Sequence, residues 1–231
     1  MLPSHLPDAP ATGFAGRGLA CRRGERLVFA ALDFTLAAGG ALVLTGRNGS
    51  GKSSLLRLMA GLTPPAGGIL AWDGGAVGAD AAAHRARLHF IGHADALKPA
   101  LTAAETVEFW AGMRGGVVDV AAALGPFRLE AIADTPCRFL SAGQRRRLSL
   151  ARLVASPAAL WLLDEPLTGL DDDSVNDLYA AIAAHRRSGG RLALATHAAV
   201  ALPDAAALAL EDFAPTAEDG RAGLFEWQAG P

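Results

Sequence analysis

The chain has 231 residues, 51% hydrophobic and 19% charged, enough apolar mass to bury a sizeable core and too much for a disordered polymer. Its 21 Lys and Arg stand against 23 Asp and Glu, a formal charge of −2, which argues against a strongly basic nucleic-acid binder. Cys21 and Cys137 lie far apart with no Cys-x-x-Cys, which excludes a disulfide framework and a zinc cluster and fits a reducing compartment.

No apolar run approaches the roughly 18 residues that span a bilayer. The N-terminus has prolines at positions 3, 7 and 10 and neither a basic nor an apolar region, so no secretory signal is expected. Residues 1–12 read as a disordered tail and 13–231 as one domain. Over 14–36 the pattern predicts short strands, among them 27–29 and 33–36, broken by the turn at Arg23-Gly24. The apolar run 41–45 predicts a strand that ends in a Gly-rich turn over 46–51. A helix over 53–59 follows, with a stop at Gly61. A Pro/Gly loop over 63–68 leads to a strand at 69–72.

The middle of the chain turns helical, over 103–113, 121–133 and 144–155, and reads as a helical subdomain spanning about 93–155. An apolar run at 160–163 ends in Asp164-Glu165. A helix over 174–187 leads to another apolar strand at 192–196 and then His197. Strand, helix and strand in this order, with buried-type strands, predict an α/β fold around a parallel sheet. The final segment, 216–231, reads as loosely ordered, and no internal repeat is evident.

Gly46-Arg47-Asn48-Gly49-Ser50-Gly51-Lys52-Ser53 satisfies G-x-x-x-x-G-K-[ST] in full, with Ser54 carrying the loop into the helix. The glycines let successive N–H groups turn inward around a phosphate, and the helix start adds its positive dipole end. Lys52 reaches the β- and γ-phosphates, and the Ser53 hydroxyl ligates Mg²⁺. The strand ending in Asp164-Glu165-Pro166 supplies two carboxylates. Asp164 would hold Mg²⁺ through water, and Glu165 would orient or deprotonate an attacking water. Taken alone, the same pattern fits a strand that leaves the core for a turn.

Leu140-Ser141-Ala142-Gly143-Gln144-Arg145-Arg146-Arg147 reads as a helix start, with Ser141 as cap and Gln144 bonding back. It also resembles the LSGGQ signature of the ATP-binding cassette (ABC) family. Leu170-Asp171 resembles the family's D-loop, and Thr196-His197 its switch histidine. The resemblance covers about residues 14–213. It implies a P-loop NTPase of the ABC type: a parallel-sheet core, an N-terminal antiparallel β portion and a helical subdomain. It further implies ATP with Mg²⁺, sandwiched in a homodimer of cassettes. His197 would sense the γ-phosphate. Ser141, Gly143 and Gln144 would meet the γ-phosphate bound to the other subunit, and Asp171 would join the two sites.

Three positions depart from the family pattern. Ala142 replaces the first signature glycine, which keeps the donor but limits the backbone. The aromatic that stacks on adenine falls near Arg23, and the Q-loop glutamine falls on His93. The run 92–105, G-H-x-x-x-L-K-x-x-L-T-A-x-E, narrows the resemblance to the ATP-binding subunits of the haem exporters of cytochrome c maturation. That resemblance implies a peripheral subunit on the cytoplasmic side of the bacterial inner membrane, with integral membrane subunits B, C and D as partners. Lys98 and Trp110, read as surface residues among apolar helical positions, would mark the docking subdomain. ATP hydrolysis would drive haem export or release of a haem-loaded chaperone; the alternative is another transported cargo. No Cys-x-x-Cys-His occurs, and no histidine is assigned to haem.

Overall fold

The computed structural model describes residues 13–198 and 200–215; the expected tails at 1–12 and 216–231 lie outside these. Strand β1 (Phe14–Arg23) turns at Gly24 into β2 (Arg26–Leu36), and β3 (Ala41–Thr45) runs into the Gly-rich loop and helix α1 (Lys52–Met59). Strands β4 (Gly67–Trp72) and β5 (Gly75–Ala76), helix α2 (Ala81–Ala86) and strand β6 (Leu88–Ile91) follow. Then come α3 (Ala103–Gly112), α4 (Val120–Leu124), α5 (Ala142–Ala155), β7 (Leu160–Asp164), α6 (Asp172–Arg187), β8 (Arg191–Ala195) and β9 (Ala206–Ala209).

The strands form two sheets. One is antiparallel, in the order β2-β1-β4-β5, and the other parallel, in the order β6-β7-β8-β3-β9. The central parallel strands β3, β7 and β8 are buried on both faces, so their interiors are apolar runs that alternate between two cores. In β7, Leu160 and Leu162 face the core shared with α1 and the antiparallel sheet, while Trp161 and Leu163 face the helices α3–α6. β8 divides its Ala193 and Ala195 from Leu192 and Leu194 in the same way. Trp161 stacks on His185 of α6 with centroids 3.9 Å apart, fastening that helix to the sheet. Each fully buried leucine here contributes about 1.5–3 kcal/mol relative to leaving it in water.

The expected helix over 121–133 is broken. α4 stops at Leu124, and two 3₁₀ turns, Gly125–Phe127 and Glu130–Ile132, carry the chain on. Pro126 has no N–H and its ring blocks a continuing helix, and Arg128 takes a left-handed conformation (φ 54°). Trp110 is a second correction: it is 7% exposed, beneath the Arg152 guanidinium at 5.5 Å. The exposed aromatic of α3 is Phe109, under the Lys98 ammonium at 4.2 Å.

Candidate nucleotide-binding site

The carboxyl ends of β3, β7, β8 and β6 lead into residues 46–51, 164–165, 196–197 and 92–93, at one edge of the parallel sheet. Ligand sites in such sheets form at this edge. Gly51 makes the turn into α1 with φ 111°, and a Cβ there would come within 2.7 Å of Val28 Cγ1 on β2. Gly46 has φ 133°, and a Cβ there would meet Glu211 Oε2 at 2.6 Å. Only glycine fits either position, and the loop they shape borders a cleft of about 780 Å³.

Lys52 is 7% exposed, yet its Nζ makes no ion pair among the described residues. It donates instead to the carbonyls of Gly46 (2.6 Å) and Arg47 (3.3 Å). Ser50 Oγ is buried with no hydrogen-bond partner among the described residues. A buried cation without a carboxylate, beside a buried hydroxyl that also lacks a partner among the described residues, calls for an anionic ligand with several oxygens. A nucleoside triphosphate fits this donor set.

Ser53 Oγ donates to Asp164 Oδ1 at 3.0 Å, and Asp164 is 3% exposed. His93 Nε2 lies 3.6 Å from Asp164 Oδ2. No three of the described His, Cys, Asp or Glu residues could hold a metal by themselves. One hydroxyl and one carboxylate are the protein share that Mg²⁺ takes when phosphate oxygens and waters complete its shell. Glu165 Oε2 pairs with His197 Nδ1 at 3.0 Å; the carboxylate is mostly buried and the imidazole exposed. Among the cleft's walls, Arg23, Arg26 and Val28 come from β1 and β2, and Thr168 follows β7.

The structure thus brings residues 46–54, His93, Asp164, Glu165 and His197 together, with Arg23 at the rim. Ser141, Gly143, Gln144 and Asp171 do not line this cleft. Ser141 and Gln144 form a reciprocal capping box at the start of α5: Gln144 N–H donates to Ser141 Oγ and Ser141 N–H to Gln144 Oε1. A Cβ on Gly143 would come 3.8 Å from the Gly169 carbonyl, so the signature turn borders the segment after β7. Asp171 caps α6 by accepting from Ser174 N–H at 2.8 Å, and its bonds with Ser174 hold its carboxyl below the usual range.

Two residues were not expected. Glu211 accepts the Arg47 N–H at 2.5 Å, a bond that holds its carboxyl below the ordinary value and ties the phosphate loop to the chain after β9. Nothing local in the sequence signals this contact across 164 positions. Arg146 donates from Nη2 to the Glu165 carbonyl at 2.8 Å. Helical periodicity does signal it, because Arg146 shares the buried face of α5 with Ser149, Leu150 and Leu153.

The sequence pattern of the ABC transporter family matches residues 29–168. The cytochrome c biogenesis ATP-binding export protein CcmA of Rhodospirillum rubrum is 55% identical over 221 residues, 95% of this chain and 94% of that protein. The protein of the same name from Paramagnetospirillum magneticum is 52% identical over 212 residues, 89% of this chain and 97% of that protein. Among solved structures, an ABC transporter ATP-binding protein from Pyrococcus furiosus superposes with a TM-score of 0.78 at 18% identity, over 88% of this chain and all of that one. A dimeric cassette in a post-hydrolysis state, bound to ADP and Pi, has a TM-score of 0.71 at 22% identity, over 80% of this chain and 88% of that one. The solved structures show the same fold and the sequence matches show the lineage: the chain belongs to the ABC transporter family, as one of its ATP-binding cassettes.

Proposed function

We propose that this chain is the ATP-hydrolysing peripheral subunit of a membrane ABC complex that exports haem, or releases a haem-loaded chaperone, in cytochrome c biogenesis. The observation that carries the proposal is 55% identity, over 95% of the chain, to a protein named for ATP-binding export in that process. The run 92–105 supports it. In this reading Lys52 and the loop Gly46, Arg47, Asn48, Gly49, Ser50, Gly51, with Ser53 and Ser54 after it, hold the phosphates; the Arg47 and Ser50 N–H groups are taken by Glu211 and the Arg47 carbonyl, which leaves the other amides of the run to donate. Ser53 and Asp164 hold Mg²⁺, which supplies charge neutralisation on the β- and γ-phosphates. Glu165 takes the proton of the water whose oxygen attacks the γ-phosphorus, as the bond to the β-phosphate oxygen breaks. His197, fixed by Glu165, donates to the γ-phosphate, and His93 faces Asp164 from the Q-loop position. Ser141, Gly143, Gln144 and Asp171, which lie outside their own cleft, complete the opposite site in a homodimer.

No helix of the described residues is long and apolar enough to cross a membrane. A chain that acts in export therefore needs integral partners, and subunits B, C and D of the cytochrome c maturation system are the proposed ones. The place of action is the cytoplasmic side of the bacterial inner membrane. Affinity purification of the chain from detergent-solubilised membranes, with mass spectrometry of what accompanies it, tests the assignment. Recovery of those three subunits is the expected result. Recovery of the membrane subunits of a different transporter would replace haem with another cargo.

A further inference from the structure

Arg146 lies within the run Arg145-Arg146-Arg147, yet it is the one of the three that reaches the carboxylate-bearing strand end. Arg145 Nη1 donates to the Leu140 carbonyl, and Arg147 Nη1 to the Phe127 carbonyl. Arg146 is 6% exposed, and a guanidinium so placed must find acceptors. Nη2 donates to the Glu165 carbonyl at 2.8 Å. Nη1 donates to the Gly92 carbonyl at 3.1 Å and stands 3.5 Å from Asp95 Oδ1. Its Nε–H is buried with no partner among the described residues. One cation therefore joins three segments: the helix that begins at Ser141, the loop in which Gly92 and Asp95 flank His93, and the Asp164-Glu165 strand end.

The contact with Glu165 has a specific consequence. Glu165 has φ 48°, the left-handed region that a non-glycine side chain disfavours. Such a conformation persists only where its surroundings over-determine it. Here the Glu165 N–H donates to the Ala195 carbonyl at 2.8 Å, and the Glu165 carbonyl accepts from Arg146 Nη2 at 2.8 Å and from the Thr168 N–H at 3.3 Å. Without Arg146, the carbonyl loses the shorter and charge-assisted of its two bonds and keeps only the longer one from Thr168. The carboxylate is then free to leave the position in which it pairs with His197.

We infer that Arg146 is a positioning residue for ATP hydrolysis: it holds the left-handed backbone of Glu165 and the His93 loop in register with the signature helix. The inference rests on the proposed role of Glu165. Lysine cannot replace it, because a single ammonium lacks the planar fork that serves separate acceptors at once.

The test uses the full chain copurified with its membrane partners, as wild type, Arg146→Ala, Arg146→Lys and Glu165→Gln. Both Arg146 variants should lose about 10- to 100-fold in kcat, the scale of an ångström-sized misplacement of a reacting group. Their affinity for MgATP, measured by equilibrium binding, should stay within about threefold of wild type, because Lys52 and the loop amides are untouched. Added guanidinium ion should restore part of the activity of Arg146→Ala and none of that of Glu165→Gln. A folded Arg146→Ala with wild-type kcat would overturn the inference. So would a parallel loss of kcat and MgATP affinity that guanidinium does not relieve, since that marks general damage. A wild-type complex with no ATP turnover would instead overturn the functional reading, and this inference with it.

Discussion

Replacing Glu165 by glutamine removes a proton acceptor and little else. The amide keeps the side-chain shape and can still bond His197 Nδ1, which stands 3.0 Å from Glu165 Oε2 in the native site. The Lys52 contacts lie on another segment, and the Ser53–Asp164 bond uses the neighbouring side chain, so the substitution removes neither. Ground-state binding should therefore survive while the proton-transfer step fails. Loss of one positioned base costs about 10²–10⁴ in rate, or roughly 3–5 kcal/mol of transition-state stabilisation. In the proposed dimer an unhydrolysed γ-phosphate would hold the two cassettes together. The assay pairs phosphate release at saturating MgATP with size-exclusion chromatography in MgATP. The expected outcome is lost turnover, retained affinity and an accumulating dimer that disperses when Mg²⁺ is chelated. Wild-type turnover in Glu165→Gln would refute the assignment of the base.

His93→Gln should keep turnover within about threefold and His93→Ala should lower it, since only glutamine returns a neutral acceptor and a donor beside Asp164; equal rates in both variants would leave His93 a loop residue without a role at the metal. Gly51→Ala should abolish MgATP binding in equilibrium titration and lower unfolding stability by about 1–3 kcal/mol, because it forces alanine to a strained φ and its Cβ onto Val28. His89 gives a pH prediction. Its Nε2 bonds the Ser156 carbonyl at 2.9 Å inside the fold, and burial pushes its pKa from 6.5 down to about 3, with Arg114, Arg152 and His185 nearby pushing the same way. The unfolded chain therefore takes up the proton first as pH falls. The stability tied to neutral His89 is present above about pH 6.5 and declines below it until the folded form protonates, with about 2 kcal/mol lost by pH 5. Urea unfolding of wild type against His89→Gln from pH 7 to pH 5 should show the smaller decline in the variant, and parallel declines would contradict the argument.

The strands that build the site were legible because parallel strands covered on both faces are unbroken apolar runs, as at β3, β7 and β8. β6 escaped notice because His89 interrupts Leu88–Ile91, and a buried neutral imidazole is indistinguishable from a surface one in sequence. β2 read as fragments at 27–29 and 33–36 because Ala31, between them, takes a left-handed conformation (φ 52°) where the register with β1 shifts. α5 begins at Ala142 rather than 144, although Ser141 had the look of its cap. The site residues that carry a motif could be named beforehand. Glu211 could not, since a carboxylate that reaches a loop amide across the fold leaves no local pattern. Trp110 was misjudged because the face of a short helix depends on what packs above it, here Arg152.

The proposed role joins ATP hydrolysis by this chain to cytochrome c biogenesis. Its most direct test is the haem-stained content of c-type cytochromes in cells whose only copy of the gene encodes Glu165→Gln. Haem-bearing c-type cytochromes should disappear while the apoproteins and the variant chain remain at wild-type amounts. A normal complement of haem-bearing c-type cytochromes in those cells would contradict it.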